Sequence, residues 1–149
     1  EAENLLTVTI RKIGSHHLLP LSNQARAIIE DMSLITRAQS IFIFQSPRSP
    51  NEPITTESML KALRRAGVSS DVTGNHGFRA TARTMLEERL GFRPEIIEQS
   101  LSHTVKDPLG RAYNRTQHLD ERRKMMQDWA DYLDSLRQDA NSTNGQWQN

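Results

Sequence analysis

The chain has 149 residues, of which 25% are charged and 36% are hydrophobic, a composition typical of one ordinary globular domain. It contains no cysteine, which excludes disulfides and thiolate metal sites. No apolar run approaches the ~18 residues that a membrane span requires. The net charge of +1 does not by itself favour any class of partner.

The first third of the chain predicts a β-hairpin, a helix and a short strand. Residues 7–10 and 16–19 favour strands, Gly14 and Ser15 supply the turn, and Lys12 lies near the tip. Ser22 is a good N-cap for a helix over the next thirteen residues, "NQARAIIEDMSLI". The run "SIFIF" at 40–44 predicts a buried strand, and the Pro-rich "QSPRSPNEP" after it predicts a loop.

The rest of the chain is predicted to be helical. Thr55 or Thr56 caps a helix that Gly67 ends, and a second helix begins near His76 and ends at Gly91. Pro94 is suited to the first turn of a third helix. The last helix covers residues 119–136, and the polar residues 140–149 are predicted to be disordered. Its apolar stripe consists of Leu119, Met126, Trp129, Leu133 and Leu136. The predicted fold is mainly α with a small antiparallel sheet, an α+β class.

One pair of residues in these helices suits an anion. His76 and Arg79, in "HGFR", lie three positions apart, so both side chains leave one face of the helix. A guanidinium fork beside an imidazole favours phosphate, and Gly74 and Asn75 place the pair near a helix N-terminus. Taken alone, such a pair is more often surface decoration or a local hydrogen bond.

Three other residues carry possible chemistry, each with a plainer alternative. His103 follows a helix, where a histidine usually caps the C-terminus. Tyr113 lies between two arginines, and a nucleophilic role needs such a positive field, although a half-buried core tyrosine is commoner. Lys12 is at a hairpin tip, where most lysines only keep an edge soluble.

The order of these residues resembles the catalytic domain of the tyrosine recombinases, the phage-type integrases. The shared pattern is a lysine on a hairpin, HxxR opening a helix, "LSH" one helix later and then "AYNR". The resemblance covers about residues 5–137. The blocks "HGFRATARTMLEE", "FRPEIIEQSLSH" and "RAYNRTQHLDERRKMMQDWADYLD" resemble the subgroup carried on prophages and genomic islands.

The resemblance implies that residues 1–139 form a partial DNA breaking–rejoining domain, truncated at its N-terminal side. The chain starts without Met, and Arg11 does not match the family's first catalytic arginine, which is expected upstream together with a DNA-binding domain. We therefore expect this chain alone to be inactive or strongly impaired.

The implied function is site-specific DNA recombination, the integration or excision of a mobile element through a 3′-phosphotyrosyl intermediate. Tyr113 would be the nucleophile, and Arg79 would hold the non-bridging phosphate oxygens. His76 and His103 would hydrogen-bond the same phosphate, and Lys12 would protonate the leaving 5′-oxygen. The general base is left open, with His76 as the candidate, and the family uses no metal or cofactor.

The implied partners are double-stranded DNA at attachment sites, three further copies of the protein in a synaptic homo-tetramer, and an accessory DNA-bending protein. The setting would be the chromosome in the bacterial cytoplasm, away from any membrane. Candidate contacts to the DNA backbone are Arg64, Arg65, Arg111 and Arg115. Solvated surface is the alternative for the first two. A DNA-binding module without catalysis, or a degenerate integrase fragment, is the competing interpretation, with Tyr113 structural. A nicking topoisomerase is a third, weaker one.

Overall fold

The computed structural model describes residues 4–10, 15–36, 40–101 and 118–145, which contain two antiparallel hairpins and five helices. In chain order the elements are β1 (Leu5–Ile10), β2 (Ser15–Pro20), α1 (Asn23–Thr36), β3 (Gln45–Ser46), β4 (Ser49–Pro53), α2 (Thr56–Arg65), α3 (Asn75–Glu88), α4 (Pro94–Ser100) and α5 (Leu119–Gly145). The predicted class, mainly helical with a small antiparallel sheet, is confirmed. The second hairpin was not predicted.

The β1–β2 hairpin forms where the alternating residues predict it. The strands pair antiparallel from Leu5 opposite Pro20 to Ile10 opposite Ser15. Residues 11–14, including Lys12, lie outside the described residues. After the hairpin, the Ser22 hydroxyl accepts a hydrogen bond from the Ala25 amide at 3.2 Å, which confirms Ser22 as the cap of α1.

The predicted strand at 40–44 is wrong. The short strands lie instead within the predicted loop, where β3 pairs with β4. Ile41 is 92% exposed and Phe44 is 46% exposed, so this apolar run lacks the burial that would favour a strand. Prolines are tolerated in β4 because each strand of a two-stranded hairpin has one edge without a ladder partner.

The helix ends follow the local chemistry of the sequence. Thr55 caps α2, because its hydroxyl accepts a hydrogen bond from the Ser58 amide at 3.1 Å. Gly67 has φ +87° after α2, and Gly91 has φ +69° after α3, a conformation that favours glycine. Pro94 is the first residue of α4, where its missing N–H costs nothing.

The chain divides into two compact units, residues 1–25 with 85–149 and residues 26–84. The apolar core of the first unit brings α4 and α5 together with the end of α3. Its most buried residues are Leu86, Ile96, Ile97 and Met125. Half-buried side chains around them are Leu90, Phe92, Leu101, Met126 and Trp129.

Helix α5 is longer than predicted and buries a different residue. It runs to Gly145, so the polar stretch predicted to be disordered overlaps the helix over 140–145, while 146–149 lie outside the described residues. The prediction stopped at Leu136, the last apolar residue, but the first helix-breaking residue after it is Gly145. Met125, outside the predicted stripe, is fully buried, whereas Leu133 and Leu136 are almost half exposed.

The second unit contains most of α1, the β3–β4 hairpin, α2 and the first part of α3. Its surface has a shallow apolar depression lined by Ile54, Met59, Ala62, Leu63 and Phe78. In the described ranges, no helix combines the length and the apolar character that crossing a membrane would require.

Met125→Ala is expected to lower the free energy of unfolding of the first unit by about 2–5 kcal/mol, because it leaves a cavity in a closed core. Leu136→Ala on the same helix is the matched control, since that side chain is 44% exposed. Urea titration followed by tryptophan fluorescence measures the free energy of unfolding of both variants. Equal losses in the two variants would contradict the assignment of the core.

Candidate active site

His76 and Arg79 lie where the sequence places them, in the first turns of α3. They are the second and fifth residues of the helix, and both side chains are exposed. The i, i+3 spacing puts them on one face, near backbone N–H groups that have no partner within the helix. An external phosphate can therefore meet a guanidinium, an imidazole and a helix N-terminus in the same place.

Gly77, which lies between the two candidate residues in α3, is in close contact with Thr73 just before the helix. A Cβ atom on Gly77 would lie 1.8 Å from Oγ1 of Thr73, so any larger residue forces that side chain to move. The Gly77 amide donates to the Gly74 carbonyl at 2.9 Å, and the Thr73 hydroxyl donates to the same carbonyl at 3.1 Å. Sequence reasoning missed Gly77 and Thr73, although a glycine inside a helix is itself a signal.

The two arginines at the end of α2 differ in their surroundings. Arg64 is half-buried, and its guanidinium donates hydrogen bonds to three backbone carbonyls of the loop before α3: those of Val68, Ser69 and Thr73. Arg65 is exposed. Both lie in the last turn of the helix, where positive charge is favoured by the helix dipole.

The remaining predicted site residues are outside the described residues. These are Lys12, His103, Arg111, Tyr113 and Arg115. The described elements next to them are β1 and β2, which flank residues 11–14, and α4 and α5, which flank residues 102–117. Whether Tyr113 meets His76 and Arg79 thus remains a prediction.

A buried arginine that sequence reasoning missed connects three elements of the first unit. Arg122, on α5, is fully buried. Its guanidinium donates to the Ser100 hydroxyl at 3.1 Å, to the Leu18 carbonyl, and to Nε2 of His17 at 3.2 Å. These bonds satisfy a charge that would otherwise be costly to bury. The spacing in the sequence could have indicated this burial, because Arg122 lies three residues before Met125 and therefore on the apolar face of α5.

The contact with Arg122 makes the stability of the first unit depend on pH. Arginine has no acceptor, so Nε2 of His17 accepts and is unprotonated. Burial, followed by the charge of Arg122, lowers the pKa of His17 from 6.5, and a hydrogen bond with the backbone of Ser100 opposes this in part. Below pH 6.5 the unfolded chain therefore binds this proton more readily than the folded one.

Linkage then gives the sign of the effect. The stability associated with neutral His17 is present above pH 6.5 and is lost as the pH falls below that value. We expect His17→Gln to reduce the fall in melting temperature between about pH 7.5 and pH 5.5, because glutamine still accepts from Arg122 without titrating. His76→Gln, at an exposed position, is the control. A pH dependence identical in wild type and His17→Gln would contradict this.

Among the described residues, no group of three or more His, Asp or Glu side chains is arranged to hold a metal ion.

Comparisons with known proteins agree on one group of relatives. No family model matches the chain, and no solved structure matches it significantly. Prophage integrase IntA of Escherichia coli K12 is 43% identical over 122 residues, which are 82% of this chain and 29% of that protein. Prophage integrase IntZ of the same strain is 39% identical over 137 residues, 91% of this chain and 33% of that protein.

The integrase of Enterobacteria phage P4 is 36% identical over 129 residues, 85% of this chain and 29% of that protein. The chain thus spans about a third of the length of the curated relatives it matches. The matched part nevertheless covers most of this chain in each case.

Proposed function

We propose that this chain, which belongs by sequence to the phage-type integrases, is part of a tyrosine recombinase that cuts and rejoins DNA at specific sites. The observation that carries the proposal is the exposed pair of His76 and Arg79 in the first turns of α3. A recombinase needs fixed donors that face an external phosphodiester, and this pair meets that need without a metal.

The proposed reaction has a balanced proton inventory. The hydroxyl oxygen of Tyr113 attacks the scissile phosphorus and loses its proton to a base, for which His76 is the candidate. The bond between phosphorus and the 5′-oxygen breaks, and Lys12 supplies the proton that makes a free 5′-hydroxyl. The tyrosine keeps the 3′-phosphate. Another strand's 5′-hydroxyl then attacks this ester and loses its proton to Lys12. The bond between phosphorus and the tyrosine oxygen breaks, and the tyrosine takes back its proton from the base, so no ATP is consumed.

Arg79 has the largest electrostatic part in this proposal. The phosphate gains negative charge toward a pentavalent transition state, and a fixed guanidinium stabilises that state more than the ground state. His76 and His103 add donors to the same phosphate. The location at the N-terminus of α3 adds backbone dipoles of the same sign.

DNA binding in this proposal is local rather than a property of the whole chain. The net charge of +1 is low, but affinity for DNA depends on the phosphates that individual basic residues reach. Arg65 is exposed and suited to such a contact, and Arg111 and Arg115 flank the proposed nucleophile in sequence. The proposed partners are attachment-site DNA, a homo-tetramer at synapsis and an accessory DNA-bending protein, in the bacterial cytoplasm.

The test uses the complete protein that the gene encodes and DNA from the ends of its own element. The two are mixed in EDTA, denatured with detergent and separated by size. We expect a covalent protein–DNA adduct, together with a released strand that has a 5′-hydroxyl and is therefore a substrate for polynucleotide kinase. Bound DNA without an adduct would instead favour the non-catalytic DNA-binding module or a degenerate integrase.

A further inference from the structure

The loop between α2 and α3 is organised around the guanidinium of Arg64. Nη1 donates to the carbonyls of Val68 at 2.6 Å, Ser69 at 2.7 Å and Thr73 at 3.1 Å. Nη2 donates to the Thr73 carbonyl as well, at 3.0 Å. One side chain thus donates hydrogen bonds to three backbone carbonyls within the six irregular residues 68–73.

An arginine is suited to this task and a lysine is not. Its planar fork presents several N–H donors in fixed directions and stays charged at every relevant pH. A lysine ammonium is a point charge on a flexible stem and does not reproduce the paired contact with Thr73. Within the loop, the Val72 amide also donates to the Ser69 carbonyl at 3.3 Å, and the Ser69 hydroxyl donates to Oδ1 of Asp71 at 2.5 Å.

The last of these acceptors, the Thr73 carbonyl, lies next to the candidate site along the chain. Thr73 lies two residues before the start of α3, and its hydroxyl donates to the Gly74 carbonyl at 3.1 Å. The Gly77 amide donates to that same carbonyl at 2.9 Å, and Gly77 packs so closely on Thr73 that it has no room for a Cβ atom. The position of Thr73 therefore sets the position of the first turn of α3.

We infer that Arg64 is a positioning residue, which fixes the loop before α3 and thereby aims His76 and Arg79 at the phosphate. This replaces its predicted role as a contact to the DNA backbone, because both of its terminal nitrogens already donate to the protein's own carbonyls. The inference rests on the proposed function.

The neighbouring arginine provides a matched control. In the complete protein, Arg64→Met is expected to slow single-turnover cleavage at saturating DNA by about 10- to 100-fold, since small displacements of positioning groups have effects of that size. Its Kd for DNA stays within about twofold of wild type. Arg65→Met is expected to act on binding instead and to raise the Kd for DNA. If Arg64→Met raises only the Kd, Arg64 is a DNA contact and the inference is wrong.

A double-mutant cycle separates positioning from a general loss of stability. Arg79→Lys retains a positive charge and leaves a residual rate to measure. If Arg64 acts through Arg79, then Arg64→Met slows Arg79→Lys much less than it slows the wild type. Fully additive effects would overturn the inference. Arg64→Lys replaces Arg64→Met if the latter does not fold, and a folded Arg64→Lys with the wild-type saturating rate would overturn it as well.

Amide hydrogen exchange tests the same contact without activity. We expect Arg64→Met, but not Arg65→Met, to speed exchange at residues 73–80 relative to the rest of the chain. If exchange at residues 73–80 is unchanged in Arg64→Met, the positioning role is wrong, even if the proposed function is right. Faster exchange in Arg64→Met, combined with no covalent adduct from the wild type, instead contradicts the proposed function and leaves the contact between Arg64 and the loop supported.

Discussion

Tyr113→Phe is expected to abolish the covalent protein–DNA adduct and to leave DNA binding within about twofold of wild type. The substitution removes only the hydroxyl oxygen that forms the bond to phosphorus, and water at the same place leaves no covalent link to the protein. A phenylalanine ring has nearly the same shape as the tyrosine ring, so the change is conservative. The measurement is the fraction of labelled DNA retained by the protein after denaturation.

The chain contains one other tyrosine, which makes a matched control. Tyr132 lies on α5, with its ring centroid 5.9 Å from that of Trp129. We expect Tyr132→Phe to form the adduct at the wild-type rate. An adduct that survives in Tyr113→Phe and disappears in Tyr132→Phe would assign the nucleophile to α5 and contradict the proposed site.

Arg79→Ala is expected to slow cleavage at saturating DNA by about 10²–10³-fold, the usual effect of removing one donor that stabilises a developing oxyanion. Arg79→Lys retains the charge but loses the two-pronged hydrogen bonding, so we expect a smaller loss. The readout is the rate at which a nicked attachment-site substrate becomes covalently trapped. The loss appears in the rate rather than in the Kd, because the donors act mainly in the transition state.

Arg65→Ala provides the comparison for Arg79. It is expected to weaken binding across unrelated DNA sequences and to reduce the dependence of log K on log salt by about one unit, as removal of one phosphate contact does. If Arg79→Ala behaves in the same way, with an unchanged saturating rate, then Arg79 is a binding residue and the mechanism loses its main electrostatic element.

The sequence predicted four helix boundaries correctly because their causes are local. Ser22 and Thr55 cap the helices that follow them, and Gly67 and Gly91 supply the positive φ angles after two others. Each signal depends on a hydrogen bond or a backbone conformation within a few residues, which needs no knowledge of distant packing. The location of His76 and Arg79 at the start of α3 was predicted for the same reason.

The errors concern features that packing decides. The run at 40–44 looked like a buried strand, yet Ile41 is almost fully exposed. Apolar composition alone does not say whether a partner surface is present. The extent of α5 was underestimated because the prediction followed the apolar stripe, whereas a helix continues through polar residues until something ends it.

Two arginines show what the sequence did not reveal about the site. Arg122 is fully buried and holds β2 and α4 to α5, although arginine is among the residues least often buried. Arg64 was predicted to contact DNA, and the sequence did not indicate the hydrogen bonds that its guanidinium donates to the loop before α3. The partners of Arg64 are backbone carbonyls, and those of Arg122 include the Leu18 carbonyl, and such groups have no signature in the sequence.

The most direct measurement identifies the residue that becomes linked to DNA. The adduct formed by the complete protein is digested with nuclease and trypsin, and the modified peptide is sequenced by mass spectrometry. We predict a nucleotide attached through a 3′-phosphate to Tyr113, in the peptide Ala112–Arg115, which trypsin releases by cutting after Arg111 and after Arg115. A nucleotide on Tyr132, on a serine or on any other residue would contradict the account.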